Sequence, residues 1–278
     1  MVYHSQVLTY SRKKDNRSLR IACFADLHIG SGEYARDHFR RWRDKHLKDK
    51  HAYFLGVGDM VEAIGPFDKR FTIEALDPKM RVQAMIDAQV KECISELEPI
   101  KDRLIGLCMG NHEWTVLARH GSNLTERICE GLGVRNLGFS CLLHLTLRPD
   151  DLPAGQHGAS RTVKLYAHHG WGGATRTLGG DMTKVSRKPS EVVADIFVFG
   201  HSHQGWEHPK ARLDVTAYGK PLSRDYLMVN TGTFKRGLSG GPIPTYEERM
   251  GFGPQKIGGR VIEIEVDPKK WVNLRAIE

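Results

Sequence analysis

Five short stretches of this 278-residue chain place metal-type side chains at the end of an apolar run. Asp26 and His28 follow residues 19–24, Asp59 follows 52–57, and Asn111 with His112 follows 104–109. His168 and His169 follow 163–167, and His201 with His203 follows the run Ile-Phe-Val-Phe at 196–199. Neutral imidazole is the commonest protein ligand of divalent transition metals. A single His-x-His pair is more often a solvated surface feature, so the repetition carries the argument. Short apolar runs bounded by glycine or aspartate read as buried strands. Open α/β sheets bind ligands at the carboxyl ends of their strands. Neighbouring strands lie only about 5 Å apart, so five such endings would converge. Gly58, Gly110, Gly170 and Gly200 stand beside four of them, where the chain must turn tightly and approach the site closely.

The set contains oxygen and nitrogen donors and no thiolate, which suits manganese, iron, zinc or magnesium and disfavours a closed structural zinc. These are more donors than one ion needs. Two ions sharing a carboxylate are the natural solution, and such a pair can bind a phosphoryl oxygen and activate a water.

The elements that must position these residues follow from the pattern. Residues 11–18 are a charged turn, and 19–24 is the first buried strand. In the basic segment 34–50, Phe39 and Trp42 share one helical face. Asp77-Pro78 opens a helix with a capping carboxylate, and Val82, Met85, Ile86, Val90, Cys93, Ile94 and Leu97 keep its period until Pro99. Asn123 and Glu126 make a capping box for a second helix. Further strands are expected at 139–147, 163–167, 196–199, 227–232 and 259–266, the last alternating as a half-buried edge strand would. Residues 149–160 read as a polar loop. The glycine-rich basic stretch 171–188 is too long for an ordinary connection and suggests a loop or lid facing substrate.

Composition is ordinary for a globular protein, 40% hydrophobic and 27% charged, with a formal charge of +8. That excess permits a polyanionic partner without requiring one. The five cysteines are scattered, without CxxC spacing, and read as reduced core residues of an intracellular protein. The first residues lack the basic start and apolar core of a secretory signal, and no apolar run approaches membrane-spanning length. A cytoplasmic setting without a membrane partner is expected.

Taken in order, Asp26-x-His28, Gly58-Asp59, Gly110-Asn111-His112-Glu113, a strand-ending histidine and Gly200-His201-x-His203 resemble the five motifs of the calcineurin-like metallophosphoesterase superfamily. The resemblance implies an α/β (in some schemes α+β) four-layer sandwich of two mixed β-sheets flanked by helices. The match runs from residue 19 to about 233, and one domain over 1–278 is expected, its core at about 19–233 completed by C-terminal strands within 259–275. By motif position, Asp26, His28 and His203 would hold one ion, and Asn111, His201 and the strand-ending histidine the other. Asp59 would bridge them. The histidine directly after the strand favours His168, with His169 the register alternative. His112 would not be a ligand; it would protonate the leaving oxygen or stabilise its charge. The implied cofactor is two divalent ions, manganese foremost, with iron, zinc, magnesium or nickel compatible. The implied reaction is hydrolysis of phosphate mono- or diesters by in-line attack of a metal-generated hydroxide.

The basic loop makes nucleotides or nucleic-acid ends the favoured substrates, with Arg176 the best-suited phosphate contact. Lys184, Arg187 and Lys188 are as readily a solvated face. Trp171 and Trp206 could stack on a base, although core packing explains such aromatics more often. The loop His-His-Gly-Trp-Gly-Gly at 168–173 is similar to that of phosphoesterases encoded in phage and prophage genomes. Glu62 reads equally as a solvated carboxylate at a helix start, and Glu113 and Trp114 as packing beneath the site. Two alternatives remain: a phosphoprotein phosphatase of the same superfamily, disfavoured by Glu113 where an arginine is usual, and a non-catalytic metal-binding scaffold subunit. The oligomeric state is not legible.

Overall fold

Apolar residues at alternate positions of the strands build two sheets that share one core. The structure, a computed structural model, describes residues 1–12, 17–66, 68–152, 160–173, 175, 177, 179–216, 218–239, 241, 244–267 and 271–277. In chain order the elements are β1 (Val2–Tyr10), β2 (Ser18–Phe24), α1 (Arg36–Leu47), β3 (Ala52–Val57), α2 (Met85–Leu97), β4 (Leu104–Cys108), α3 (Asn111–His120) and α4 (Leu124–Leu132). There follow β5 (Ser140–Pro149), β6 (Arg161–His168), α5 (Gly180–Val185), α6 (Lys188–Glu191), β7 (Ile196–Phe199), β8 (Gly205–Val215), β9 (Pro221–Thr231), α7 (Tyr246–Met250), β10 (Arg260–Val266) and β11 (Val272–Ile277).

One sheet has the order β1-β5-β6-β7-β9-β8 and the other β11-β10-β2-β3-β4. Both mix parallel and antiparallel pairs. Period-two alternation sorts each strand between layers. Ile21 and Cys23 of β2 face the layer between the sheets with Ile196 and Val198 of β7, while Ala22 and Phe24 turn outward toward the helices. Phe197 and Phe199 pack on the opposite outer face with Tyr166 and Val185. Strand β7 is thus apolar throughout because it is buried on both faces. Outside the five-stranded sheet, α1 inserts Phe39, fully buried, against Phe24, Trp42 and Phe234. The layering is the four-layer metallophosphoesterase sandwich expected from the motifs.

Four expectations need correction. Strand β1 precedes the 19–24 strand and pairs parallel with β5; its alternating polar residues carry little apolar signal. The β8–β9 hairpin extends into solvent, with Leu213 88% exposed, and so lacks an apolar face to read. Asp77 caps only a 3₁₀ turn, Pro78–Met80, and α2 opens at Met85, leaving Val82 half exposed. There the backbone is tied elsewhere: Asp77 N–H donates to the Gly30 carbonyl and Gly32 N–H to that of Ala75. Strand β10 lies inside its sheet, between β2 and β11, and is no edge. Its Glu263 is buried and paired with Arg20 at 3.1 Å and with Arg275. The loops expected at 11–18 and 149–160 fall partly outside the described residues.

Truncating Phe39 removes the ring that docks α1. Phe39→Ala is expected to lower stability by about 3–5 kcal/mol, read from denaturant unfolding; an unchanged midpoint would contradict this docking.

Candidate dinuclear metal centre

Parallel strands β2, β3 and β4 of one sheet and β6, β7 and β9 of the other end at the same rim of the sandwich, and the candidate residues leave from those ends. Their backbone is unusual. Asp26, His28, Asp59, His201 and His203 have φ of 53°, 49°, 52°, 71° and 60°, and among the described residues Ala63 is the one other non-glycine with positive φ. Asp and His enter this left-handed region more readily than most residues, still at a cost of order 1–3 kcal/mol each. Close packing enforces the turns. A Cβ on Gly110 would lie 2.1 Å from Asp59 Oδ1, and one on Gly58 would lie 2.5 Å from His169 Nδ1.

Two groups of side chains face each other. Asp26, His28 and His203 form one, and Asp59, His169 and His201 the other, each with donor atoms within 4.8 Å of one another. His28 Nε2 lies 3.1 Å from His203 Nε2 and 4.0 Å from Asp59 Oδ2. His169 Nε2 lies 3.2 Å from Asp59 Oδ2 and 3.0 Å from Asn111 Oδ1. Asp59 therefore stands between the groups.

The hydrogen-bond pattern fits cations at these positions. His169 Nδ1–H donates to the Val57 carbonyl at 2.7 Å, which turns an Nε2 lone pair toward two oxygens. Acceptors cannot face acceptors unless a proton or a metal lies among them. His28 Nδ1 lies 2.9 Å from Glu62 Oε2, an ion-pair contact on the outer side of the ring that turns its Nε2 inward. His201 Nε2 is engaged by the Gly172 carbonyl, leaving Nδ1 buried without a hydrogen-bond partner, as is Asp26 Oδ1.

Electrostatics follow the same lines. Burial opposes ionisation of Asp59, yet the His169 and His112 imidazoles hold it well below the usual carboxylate range. Asp26 is also lowered, against its burial, by His203. His169 overcomes its own burial through Asp59 and rises to about 10, whereas burial drops His28 to about 4. A positive charge is thus favoured between His169 Nε2 and Asp59, where a bound cation would take the place of the proton.

The favoured His168 does not reach Asp59; the register alternative, His169, does. Val163, Leu165 and Ala167 face the inter-sheet layer, so His168 leaves on the outer face with Tyr166, its ring 5.4 Å from Phe139 and 5.0 Å from Trp171. His168 Nδ1 accepts the Gly170 N–H, and His169, fully buried, reaches Asp59. The alternation of β6 was the available signal.

Of the supporting shell the sequence placed only Glu113 beneath the site; Trp114, expected there with it, is 51% exposed. Glu62 is buried against His28, not solvated. Glu113 is fully buried and accepts the N–H groups of Asp59, Met60, Val61 and Gly110 at 2.7–3.1 Å, which fixes the Asp59 turn. Asn230, at the end of β9, donates to the Gly200 carbonyl and to Ser202 Oγ, and Thr233 Oγ1 donates to the Asp26 carbonyl. His112 Nδ1 is held by the Glu62 carbonyl, so Nε2 turns toward the site, 4.0 Å from Asp59 Oδ2.

These residues floor a cleft of about 1220 Å³. Gly172, Gly173, Thr175 and Thr177 line it, but Lys184 turns to Asp181 at 3.3 Å and Lys188 to Glu191 at 2.6 Å and to the Trp171 ring. Arg176 lies outside the described residues. Cations that do line the cleft are Arg70, Lys235 and Arg249. Trp206 packs in the outer apolar cluster.

The model of the calcineurin-like phosphoesterase family matches residues 19–205. The chain belongs to that family. Among curated relatives, the DNA polymerase II small subunit of Halobacterium salinarum is 30% identical over 114 residues, 40% of this phosphoesterase chain and 21% of the relative. The match thus spans about a fifth of that relative's length. Among solved structures, the calcineurin-like phosphoesterase YfkN of Bacillus subtilis aligns at TM-score 0.43 with 12% identity over 94% of this chain and 90% of its own. The NAD nucleotidase NadN of Haemophilus influenzae aligns at 0.42 with 8% identity over 93% and 49%. No helix among the described residues is long and apolar enough to cross a membrane.

The register is tested by single replacements. His169→Ala is expected to weaken binding of one Mn²⁺ ion by more than about tenfold in calorimetric titration, and His168→Ala to leave both sites near wild type. The reverse ranking would contradict the geometry.

Proposed function

We propose that this chain is a metal-dependent hydrolase of phosphate esters, using Asp26, His28 and His203 for one divalent ion and Asn111, His169 and His201 for the other, with Asp59 shared. The observation that carries the reading is the position of Asp59 Oδ2, within 4.0 Å of the inward nitrogens of His28, His112 and His169. When bound, two divalent ions supply Lewis acidity toward a phosphoryl group and a nucleophile drawn from water at neutral pH; manganese is the first candidate. The chain's residues do the rest. Glu113 fixes the Asp59 turn, and Glu62 orients His28. His112, with Nδ1–H committed to the Glu62 carbonyl, presents Nε2 to the cleft and is the general acid for the leaving oxygen.

Nucleotides or nucleic-acid ends are the proposed substrates. Support comes from a cleft much larger than one phosphate, from Arg70 and Arg249 on its walls, and from the partial likeness to a polymerase subunit. Arg70 is held rigid by Asp68, with Nε and Nη2 at 3.0 and 2.9 Å, which leaves Nη1 for a substrate phosphate. Five buried, unpaired cysteines are compatible with a reducing, cytoplasmic setting.

The test compares a chromogenic diester, a monoester and 3′-phosphorylated oligonucleotides, with Mn²⁺ and with EDTA. Turnover is expected with metal and lost with chelator, and His112→Ala should cut it about 10²-fold or more at unchanged metal content. Arg70→Ala should raise KM for the oligonucleotide about tenfold. No turnover of any substrate under Mn²⁺, Fe²⁺, Zn²⁺ or Mg²⁺ would overturn the reading.

A further inference from the structure

One buried cation near the centre is absorbed by neither the ligand set nor the general acid. Lys235, 9% exposed, follows β9 at the loop whose Phe234 N–H and Thr233 hydroxyl both bond the Asp26 carbonyl. Its Nζ lies 3.3 Å from Glu247 Oε1 and 3.9 Å from Glu62 Oε2. Glu62 Oε2 is in turn 2.9 Å from His28 Nδ1, and both carboxylates are buried. Glu33, partly buried, completes the charged surroundings of the amine.

A carboxylate against the outer nitrogen of a histidine fixes which ring nitrogen faces a metal, and it can do so only while its own position is held. Lys235 Nζ and His28 Nδ1 meet at the same oxygen, Glu62 Oε2, so the amine anchors the carboxylate that faces the ring. The same ammonium reaches α7 through Glu247. The wall formed by Ser239, Thr245, Glu247, Arg249 and Phe252 is thereby joined to the floor of the cleft.

We propose that Lys235 is a positioning residue: through Glu62 it keeps His28 as an Nε2 ligand of one ion, and through Glu247 it clamps the C-terminal wall of the cleft to that ion's site. The inference rests on the metal-ligand reading above. Lys235 is not assigned to the reacting atoms, because its amine is engaged by Glu62 and Glu247.

Removing the amine alone would leave two buried carboxylates without their cation and could unfold the loop. It would also remove a positive charge that repels a bound metal. The informative variant is therefore Lys235→Met combined with Glu247→Gln, which keeps the local charge constant, with Lys235→Arg as the conservative rescue. The full-length proteins are titrated with Mn²⁺ alone by calorimetry, and thermal unfolding of each metal-free protein is recorded alongside. Wild type is expected to take two ions. The double variant should bind one of them about 10–100-fold more weakly, the cost typical of losing an outer partner of a metal ligand, and the other as before. Lys235→Arg should restore both. Two ions bound with wild-type affinity by the double variant would overturn the inference and leave the phosphoesterase reading intact. Equal weakening of both ions together with a depressed unfolding temperature would reduce Lys235 to a purely structural residue and also overturn it. A wild-type protein that takes no Mn²⁺ would overturn both readings together.

Discussion

The carboxylate of Asp59 is an anion buried at the meeting edge of two sheets, and the surrounding architecture accommodates it. An isolated buried charge of this kind is untenable without partners. It is met by His169 at 3.2 Å, by the N–H of His112 at 2.9 Å, and by a backbone turn whose amides are gathered by Glu113. That turn requires left-handed backbone at Asp59 and close approach of Gly110. The same requirement recurs at Asp26, His28, His201 and His203. Strain concentrated at candidate ligands, within an otherwise regular sandwich, is the expected signature of a site whose geometry is set before anything binds.

Much of this was legible in the chain. Residues 52–57 and 196–199 read as strands because alternate side chains are buried on both faces, and the glycines and acidic residues after them mark where the strands stop. The order of metal-type residues at those stops was enough to identify the rim. The sequence favoured His168 over His169, because a strand's last residue depends on its neighbours: His168 is still paired with Ser140 of β5 and Phe199 of β7. The rest of the supporting shell was illegible for a different reason. Glu62, Lys235 and Glu247 come from three distant loops, and no local period links them. Residues 77–84 show the converse, a good local helix start overruled by backbone bonds to the His28 corner.

Substrate preference resides in the walls and not in the rim. The basic stretch after His169 contributes glycine and threonine backbone to the cleft, while Lys184 and Lys188 spend their charge on Asp181 and Glu191. Arg70, from the loop after β3, and Arg249, from the segment after β9, supply the described positive charge instead, while Lys235 is held by Glu62 and Glu247. Three separate loops thus shape one cleft above a common floor. This division lets one metal-binding rim serve many substrates across a fold family.

The central claim is that Asp59 is shared by two ions and that His169 serves one of them. Anomalous diffraction from crystals grown with Mn²⁺ tests it most directly. The account predicts two anomalous peaks on either side of the Asp59 carboxylate, one against Asp26, His28 and His203 and the other against Asn111, His169 and His201. A single peak, or a peak ligated by His168 with Asp59 uninvolved, would contradict it.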